Sequence, residues 1–222
     1  MAKRTAARTL FYGWTDDVDL RASEVEGHGL EGASFTLAWH GDRERVRLPL
    51  PGRQLVANAL AAAAVGLTEG LSLPEVVDAL EHAEVPVRLR VLRGRHGSTI
   101  LDDTYNASPA SMAAALDLLG ELPGRKIAVL GDMRELGPLE DDAHAAVGRQ
   151  AAEVADVIHT VGELGRLIGE AAQAAGHADA RHWPSKEAAG AALVEELRAG
   201  DVVLLKASRA LALETLLEGL TE

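Results

Sequence analysis

The spacing of apolar residues changes along the chain, and the predicted elements change with it. Before residue 51, short alternating or β-branched stretches predict strands at residues 9–12, 18–20, 34–39 and 45–48. His40-Gly41 lies between the last two of these and predicts a hairpin turn, because Gly tolerates the positive φ that such turns require. From Arg53 to Leu67 the apolar residues recur every three or four positions, which predicts a helix, and a second helix is predicted to begin at Pro74.

A different pattern begins after a boundary at about residues 83–87. A hairpin is predicted around residues 95–98, and beyond it apolar strands alternate with amphipathic helices, which is typical of βαβ units and a mainly parallel sheet. The predicted fold class is therefore α/β, with a β-rich, two-helix segment at 1–84 and a second domain at 85–222. The predicted strands of that domain are 88–92, 99–101, 126–130, 157–160 and 202–205, and its helices are 141–154, 164–175, 186–198 and 210–220.

Composition narrows the class of protein. The 222 residues are 47% hydrophobic and include no cysteine, which excludes disulfides, a thiol nucleophile and thiolate-bound metal. The formal net charge of −12 argues against nucleic acid or an anionic membrane as a partner. The longest apolar run, residues 58–67, is too short to span a bilayer, and no apolar signal segment follows Met1. We therefore expect a cytoplasmic protein without membrane insertion.

Polar residues follow three of the predicted strands directly. Asp103 follows the strand at 99–101, Asp132 follows the strand at 126–130, and Lys206, Ser208 and Arg209 follow the strand at 202–205. Because ligands of parallel sheets bind at the carboxyl ends of the strands, this edge is the predicted site. Cations at a helix N-terminus oppose the helix dipole, which favours an anion-binding role for Lys206 and Arg209.

Structural roles remain open for several of these residues. Ser108, followed by proline, has the pattern of a helix N-cap. Asp102 is interpreted as solvating a loop, and Asp132 has the alternative role of capping the turn after Gly131. His144 is expected to be a partly exposed helix residue rather than a metal ligand. No two histidines are four residues apart, and no metal-binding residue is predicted.

Common phosphate-binding and nucleophile motifs are absent from the sequence. None of the lysines lies in a Walker loop, no G-x-G-x-x-G follows a strand, and no G-x-S-x-G nucleophile elbow occurs. This chain by itself lacks the usual residues for triphosphate chemistry.

Three ordered motifs resemble those of the Mur ligases: LDDTYNASPASM at 101–112, VLGDMRELG at 129–137 and LLKASRA at 204–210. The stretch LPLPGRQLVANALAAAA at 48–64 is similar to the end of the central domain of that family. The resemblance implies that residues 1–84 are the last part of a central ATP-binding domain. It also implies that residues 85–222 are a complete, Rossmann-like C-terminal domain.

The implied activity is ATP-dependent amide formation through an acyl phosphate. Among Mur ligases the motifs are most similar to those of members that add D-Ala-D-Ala to UDP-MurNAc-tripeptide in peptidoglycan synthesis. The implied cofactors are ATP and Mg²⁺, the latter held mostly by residues outside this sequence. Without a Walker loop the chain is expected to be inactive alone, and we expect a monomer. The alternatives are a folylpolyglutamate or cyanophycin synthetase relative, and a non-catalytic module that binds a nucleotide or a peptide.

The resemblance also implies roles for single residues. Asn58 corresponds to a residue near the adenine, Arg88 to one that reaches the terminal phosphate, and Asp103 to one that bonds the ribose, while Asn106 continues the same cofactor-binding motif. Arg88 and Lys206 are the implied catalytic residues. The implied substrate-binding residues are Asp132, Lys206, Ser208 and Arg209.

Overall fold

The computed structural model describes residues 6–84 and 89–222. The chain divides into two compact units, Met1–Val85 and Pro86–Glu222.

The first unit joins a four-stranded sheet to two helices. The hairpin predicted at His40-Gly41 is confirmed, because both residues have positive φ and the flanking strands pair antiparallel. Phe35 and Leu37 are fully buried in one core with Val56 and Leu60 of the first helix. The sheet has the order β1-β2-β3-β4, and the elements are β1 (Tyr12–Gly13), β2 (Leu20–Gly27), β3 (Ala33–Trp39), β4 (Asp42–Leu48), α1 (Leu55–Thr68) and α2 (Leu73–Glu81).

The second unit alternates strands and helices, which confirms the predicted α/β class. Its strands are β5 (Arg90–Arg93), β6 (Thr99–Asp102), β7 (Lys126–Leu130), β8 (Val157–Val161), β9 (Ala180–Trp183) and β10 (Val202–Lys206). Its helices are α3 (Pro109–Glu121), α4 (Glu140–Val154), α5 (Gly165–Ala174), α6 (Lys186–Glu196) and the short α7 (Leu217–Leu220).

The six strands form one sheet in the order β5-β6-β10-β7-β8-β9. All neighbours pair parallel except β5 and β6, which form an antiparallel hairpin. Helices α3, α4 and α5 lie side by side. Helix α6 shares a core with Val129, Val203 and Leu205 on the opposite face, as right-handed crossovers require. The central strand β10 therefore has β6 on one side and β7 on the other.

One prediction for this unit is wrong, and one strand is missing from the predicted elements. The helix predicted at 210–220 is broken into 3₁₀ turns, because Ala212 adopts the left-handed conformation (φ +47°), and only α7 remains helical. Strand β9 was not predicted, because its four residues include the exposed Arg181 and His182 and lack a long apolar run.

Candidate functional site

The three polar groups predicted to share one edge of the sheet do so. Strand β10 pairs parallel with β6 and with β7, and the register places Leu205 opposite Asp102 and Lys206 opposite Leu130. The residues that follow these three strands consequently emerge side by side. We call this edge the rim; it comprises residues 102–108, 131–135 and 206–209.

Lys206 and Asp103 form an ion pair in the middle of the rim. The ammonium Nζ of Lys206 lies 2.5 Å from Oδ2 of Asp103 and donates to the carbonyl oxygen of Asn106 at 2.9 Å. The Lys206 side chain is 1% exposed and that of Asp103 is 14% exposed. Lys206 is thus a buried cation neutralised by a neighbouring strand, and it fixes the loop that follows β6.

Asn106 and Ser108 lie in the loop between β6 and α3. The side-chain oxygen of Asn106 accepts the N–H of Ala107 at 2.8 Å, and Asn106 is exposed. Ser108 is the N-cap of α3, with its hydroxyl oxygen accepting the N–H of Ser111 at 3.4 Å, which confirms the predicted helix start.

Asp132 is completely buried at the end of β7. Its Oδ1 accepts the N–H groups of Leu164 and Gly165 at 3.0 and 2.9 Å, where α5 begins, and its Oδ2 accepts from the Arg134 guanidinium at 2.7 Å. The carboxylate therefore satisfies the N-terminus of a neighbouring helix. A role for Asp132 in substrate binding stays a prediction.

Ser208 is joined to the loop after β7 by two hydrogen bonds. Its N–H donates to the carbonyl of Asp132 at 2.8 Å, and its Oγ accepts the N–H of Arg134 at 3.0 Å. Two residues earlier, at the end of β10, the carbonyl of Lys206 accepts the N–H of Gly131 at 3.0 Å. These bonds fix residues 206–208 against residues 131–134, so the two segments behave as one structural element of the rim.

Arg209 is exposed beside this element. Its guanidinium carbon lies 5.4 Å from the ring centre of Tyr105, in a cation–π arrangement. Tyr105 is 47% exposed and was not singled out from the sequence, although it lies within the motif at 101–112. The pair presents a positive charge and an aromatic face to solvent at the rim.

Two sequence interpretations near the rim are wrong. Asp102 does not solvate a loop: it is buried, bonded to the Arg90 guanidinium at 2.5 Å and to the Thr104 hydroxyl at 2.6 Å. His144 is not partly exposed: it is fully buried, and its Nε2 accepts the N–H of Met133 at 2.8 Å. Asp102 accepts from the buried Thr104 and His144 from the buried Met133, and the apolar and polar pattern of the sequence does not show that these donors need an acceptor.

The two remaining candidate residues are Asn58 and Arg88. Asn58 is exposed on α1 in the first unit. Arg88 falls outside the described residues. The roles implied for both stay predictions.

A second buried polar cluster lies on the α6 side of the sheet. His159 of β8 is fully buried, contacts the Glu196 carboxylate through Nε2, and accepts the indole N–H of Trp183 on Nδ1 at 2.7 Å. Burial lowers the pKa of His159 below its ordinary value of 6.5, and the opposing attraction of Glu196 is smaller. The imidazole is therefore neutral near pH 7, with its proton on Nε2.

The described residues contain neither a metal-binding cluster nor a membrane-spanning helix. Among residues 6–84 and 89–222, no three His, Asp or Glu side chains are grouped so that they could hold a metal ion. In the part of the chain that the structure describes, no helix is both long and apolar enough to cross a membrane.

The family model and the curated relatives that match this chain are all Mur ligases. A family model described as "Mur ligase, glutamate ligase domain" matches residues 87–209. The UDP-N-acetylmuramoyl-tripeptide–D-alanyl-D-alanine ligases of Bacillus subtilis and Escherichia coli are 34% and 36% identical to this chain. These alignments cover 98% and 89% of the chain, and 48% and 43% of the relatives. The chain therefore spans about half the length of these curated relatives.

Solved structures that align with this chain belong to the same family. A crystal structure of MurF from Acinetobacter baumannii aligns with a TM-score of 0.83 and 31% identity, covering 94% of this chain and 46% of that one. MurF from Thermotoga maritima in complex with ADP aligns with a TM-score of 0.75 and 27% identity, covering 95% and 47%. On the family match, which covers more than half of the residues, the chain belongs to the Mur ligase family.

Proposed function

We propose that this chain is the C-terminal portion of an ATP-dependent carboxylate–amine ligase that acts in the cytoplasm. The reaction adds D-Ala-D-Ala to UDP-MurNAc-tripeptide in peptidoglycan synthesis. The observation that carries the proposal is the rim itself, where Asp103, Lys206, Ser208 and Arg209 lie together at the ends of β6 and β10. The names of relatives 34–38% identical to this chain support the choice of substrates.

Bound ATP would supply the phosphoryl group that activates the tripeptide carboxylate as an acyl phosphate. Asp103 suits the ribose of the nucleotide, because its hydrogen bond from Lys206 is made to Oδ2. Within residues 6–84 and 89–222, Oδ1 makes no hydrogen bond, so it can accept one from a ribose hydroxyl. Asn58, Arg88 and Asn106 are the other nucleotide contacts that we propose.

The rim also suits an anionic peptide. Arg209 is exposed and can pair with the carboxylate of D-Ala-D-Ala, and Ser208 has a hydroxyl proton to donate beside it. Lys206 is almost completely buried and paired with Asp103, so it acts through the local field and by holding the loop in place. Fixed polar groups of this kind offset the charge that develops when an amine attacks an acyl group.

Magnesium, which we propose for the whole enzyme, would offset charge on the phosphates. We propose that residues outside this sequence hold most of the ion, as the resemblance to the Mur ligases implies.

Titration of the ¹⁵N-labelled chain with D-Ala-D-Ala, L-Ala-L-Ala and ATP, followed by NMR, tests the proposal. We expect D-Ala-D-Ala to shift the amides of Ser208 and Arg134, and ATP to shift that of Asp103. L-Ala-L-Ala has the same charge and composition and should have little effect. Equal responses to both dipeptides, or no response to D-Ala-D-Ala and ATP, would contradict it.

A second measurement concerns turnover by this chain alone. Because the sequence has no Walker loop, we expect no ATP hydrolysis that depends on D-Ala-D-Ala. Detectable hydrolysis of that kind would show that the chain carries a complete catalytic site.

A further inference from the structure

The buried His144 has a single possible arrangement of its protons. It lies in the first turns of α4, and its Nδ1 is 2.6 Å from the carbonyl oxygen of Glu140. A carbonyl only accepts, so Nδ1 carries the proton. Its Nε2 accepts the N–H of Met133 and therefore carries none. His144 is thus a neutral imidazole that anchors the loop after β7 from the side of α4.

The amide next to this anchor reaches the rim. The peptide N–H of Arg134 donates to the Ser208 Oγ at 3.0 Å, while the Ser208 N–H donates to the Asp132 carbonyl at 2.8 Å. The direction of the Arg134 N–H depends on the orientation of the preceding residue, Met133, and the bond to His144 fixes that residue. A continuous path of hydrogen bonds and one peptide unit therefore connects His144 to Ser208.

The Ser208 hydroxyl is oriented by the same path. Because its oxygen accepts from Arg134, its own proton must point elsewhere. Throughout residues 6–84 and 89–222, no acceptor for that proton is found, and Ser208 is 5% exposed at the rim. The bond from Arg134 thus leaves the hydroxyl proton of Ser208 available for donation to a ligand at the rim.

We propose that His144 is a positioning residue: it holds Met133 so that Arg134 fixes the Ser208 hydroxyl as a donor toward a rim ligand. His144 is fully buried and does not itself touch a ligand. The identity of that ligand, D-Ala-D-Ala, rests on the function proposed above. The positioning of Ser208 by His144 does not depend on that function.

Three variants of this chain separate positioning from simple filling of the core. His144→Leu fills the space but has no acceptor for the Met133 N–H. His144→Gln offers its side-chain oxygen near the place of Nε2 and should restore the bond. His159→Leu is the matched control, since it also removes a fully buried histidine but lies on the α6 side of the sheet, in contact with Glu196 and Trp183.

Amide hydrogen exchange of the ligand-free variants is the main measurement. In His144→Leu we expect exchange at Met133 and Arg134 to accelerate about tenfold or more, because a buried N–H loses its acceptor. Exchange at Ile158 in β8 should stay as in the wild type. His144→Gln should return the rates toward wild type, and His159→Leu should not produce this pattern. Unchanged rates at Met133 and Arg134 in His144→Leu, or the same profile in both leucine variants, would overturn the proposal.

The ¹⁵N chemical shifts of the imidazole of His144 show which ring nitrogen carries the proton. They are measured on the wild-type chain, so this test does not depend on whether a variant folds. The proposal requires a neutral His144 with its proton on Nδ1, and a proton on Nε2 would overturn it. Both measurements are made without ligand. An absence of D-Ala-D-Ala binding together with the expected tautomer and exchange rates would therefore count against the proposed function alone.

Discussion

Breaking the Lys206–Asp103 pair gives a sharp prediction for the stability of the second unit. In Asp103→Asn the 1% exposed ammonium of Lys206 loses its carboxylate. Removing one member of a buried ion pair costs about 3–5 kcal/mol, because the other charge stays in a medium of low dielectric. Water reaches the 14% exposed Asp103 site, so we expect the lower end of that range.

Replacing the other member of the pair, Lys206, should lower the free energy of unfolding by less. In Lys206→Met the remaining charge is the partly hydrated carboxylate of Asp103, and methionine retains apolar packing in place of the lysine stem. The double variant removes both charges, so it should be more stable than the sum of the two single losses predicts. We expect a coupling energy of about 1–3 kcal/mol, which is within the range for residues in contact.

Urea unfolding of the four proteins, followed by far-UV circular dichroism, measures this cycle. The midpoints should fall in the order wild type, Lys206→Met, Asp103→Asn, with unchanged slopes. Equal costs for the two single variants with strict additivity in the double variant would refute the argument that Lys206 depends on Asp103.

Three further predictions concern other parts of the chain. Stability of the second unit should fall as the pH drops below about 6.5: burial lowers the pKa of His159, so below that pH the unfolded chain binds a proton that the folded chain does not. His159→Gln should weaken this dependence in urea titrations, and an unaltered dependence would contradict the assignment. In the first unit, the hydroxyl of Ser72 is the largest cause of the lowered pKa of Glu75, so Ser72→Ala should raise that pKa toward 4.5 by NMR, whereas Ser72→Thr should not. Gly162→Ala should lower the melting temperature more than Gly200→Ala. Both positions have positive φ, but only at 162 would a Cβ meet a neighbour, 2.3 Å from the Asp132 carboxylate; equal losses would refute this.

The rim was predictable from sequence because its signal is local. The apolar runs that become β6, β7 and β10 each end abruptly at polar residues, and the carboxyl ends of parallel strands meet at one edge. The pairing of Asp103 with Lys206 was not predictable, because the two residues are 103 positions apart along the chain. Only the position of β10 between β6 and β7 brings them together.

The wrong or missing predictions for residues 210–220, for β9 and for His144 also have physical causes that the local sequence pattern does not contain. The apolar spacing after residue 210 is helical, but it does not encode the left-handed Ala212 that breaks the helix. Strand β9 lies at the edge of the sheet, and because Arg181 and His182 are exposed, it lacks the apolar run that predicts a buried strand. The polarity of His144 suggested exposure, while the unmet N–H of Met133 requires a buried acceptor. Each outcome depends on a partner distant in sequence or on a single backbone torsion.

The capped start of α5 has a consequence for where a phosphate can dock. Exposed N–H groups at the beginning of a helix attract anions, and nucleotide-binding folds often use them for that purpose. Here the carboxylate of Asp132 already accepts the N–H groups of Leu164 and Gly165, so these two donors are not available to a nucleotide or peptide anion. The same carboxylate also pairs with the guanidinium of Arg134, so its negative charge is compensated within the loop after β7. A phosphate or carboxylate at this edge of the sheet would therefore need side-chain donors, and the exposed guanidinium of Arg209 is one that the rim offers.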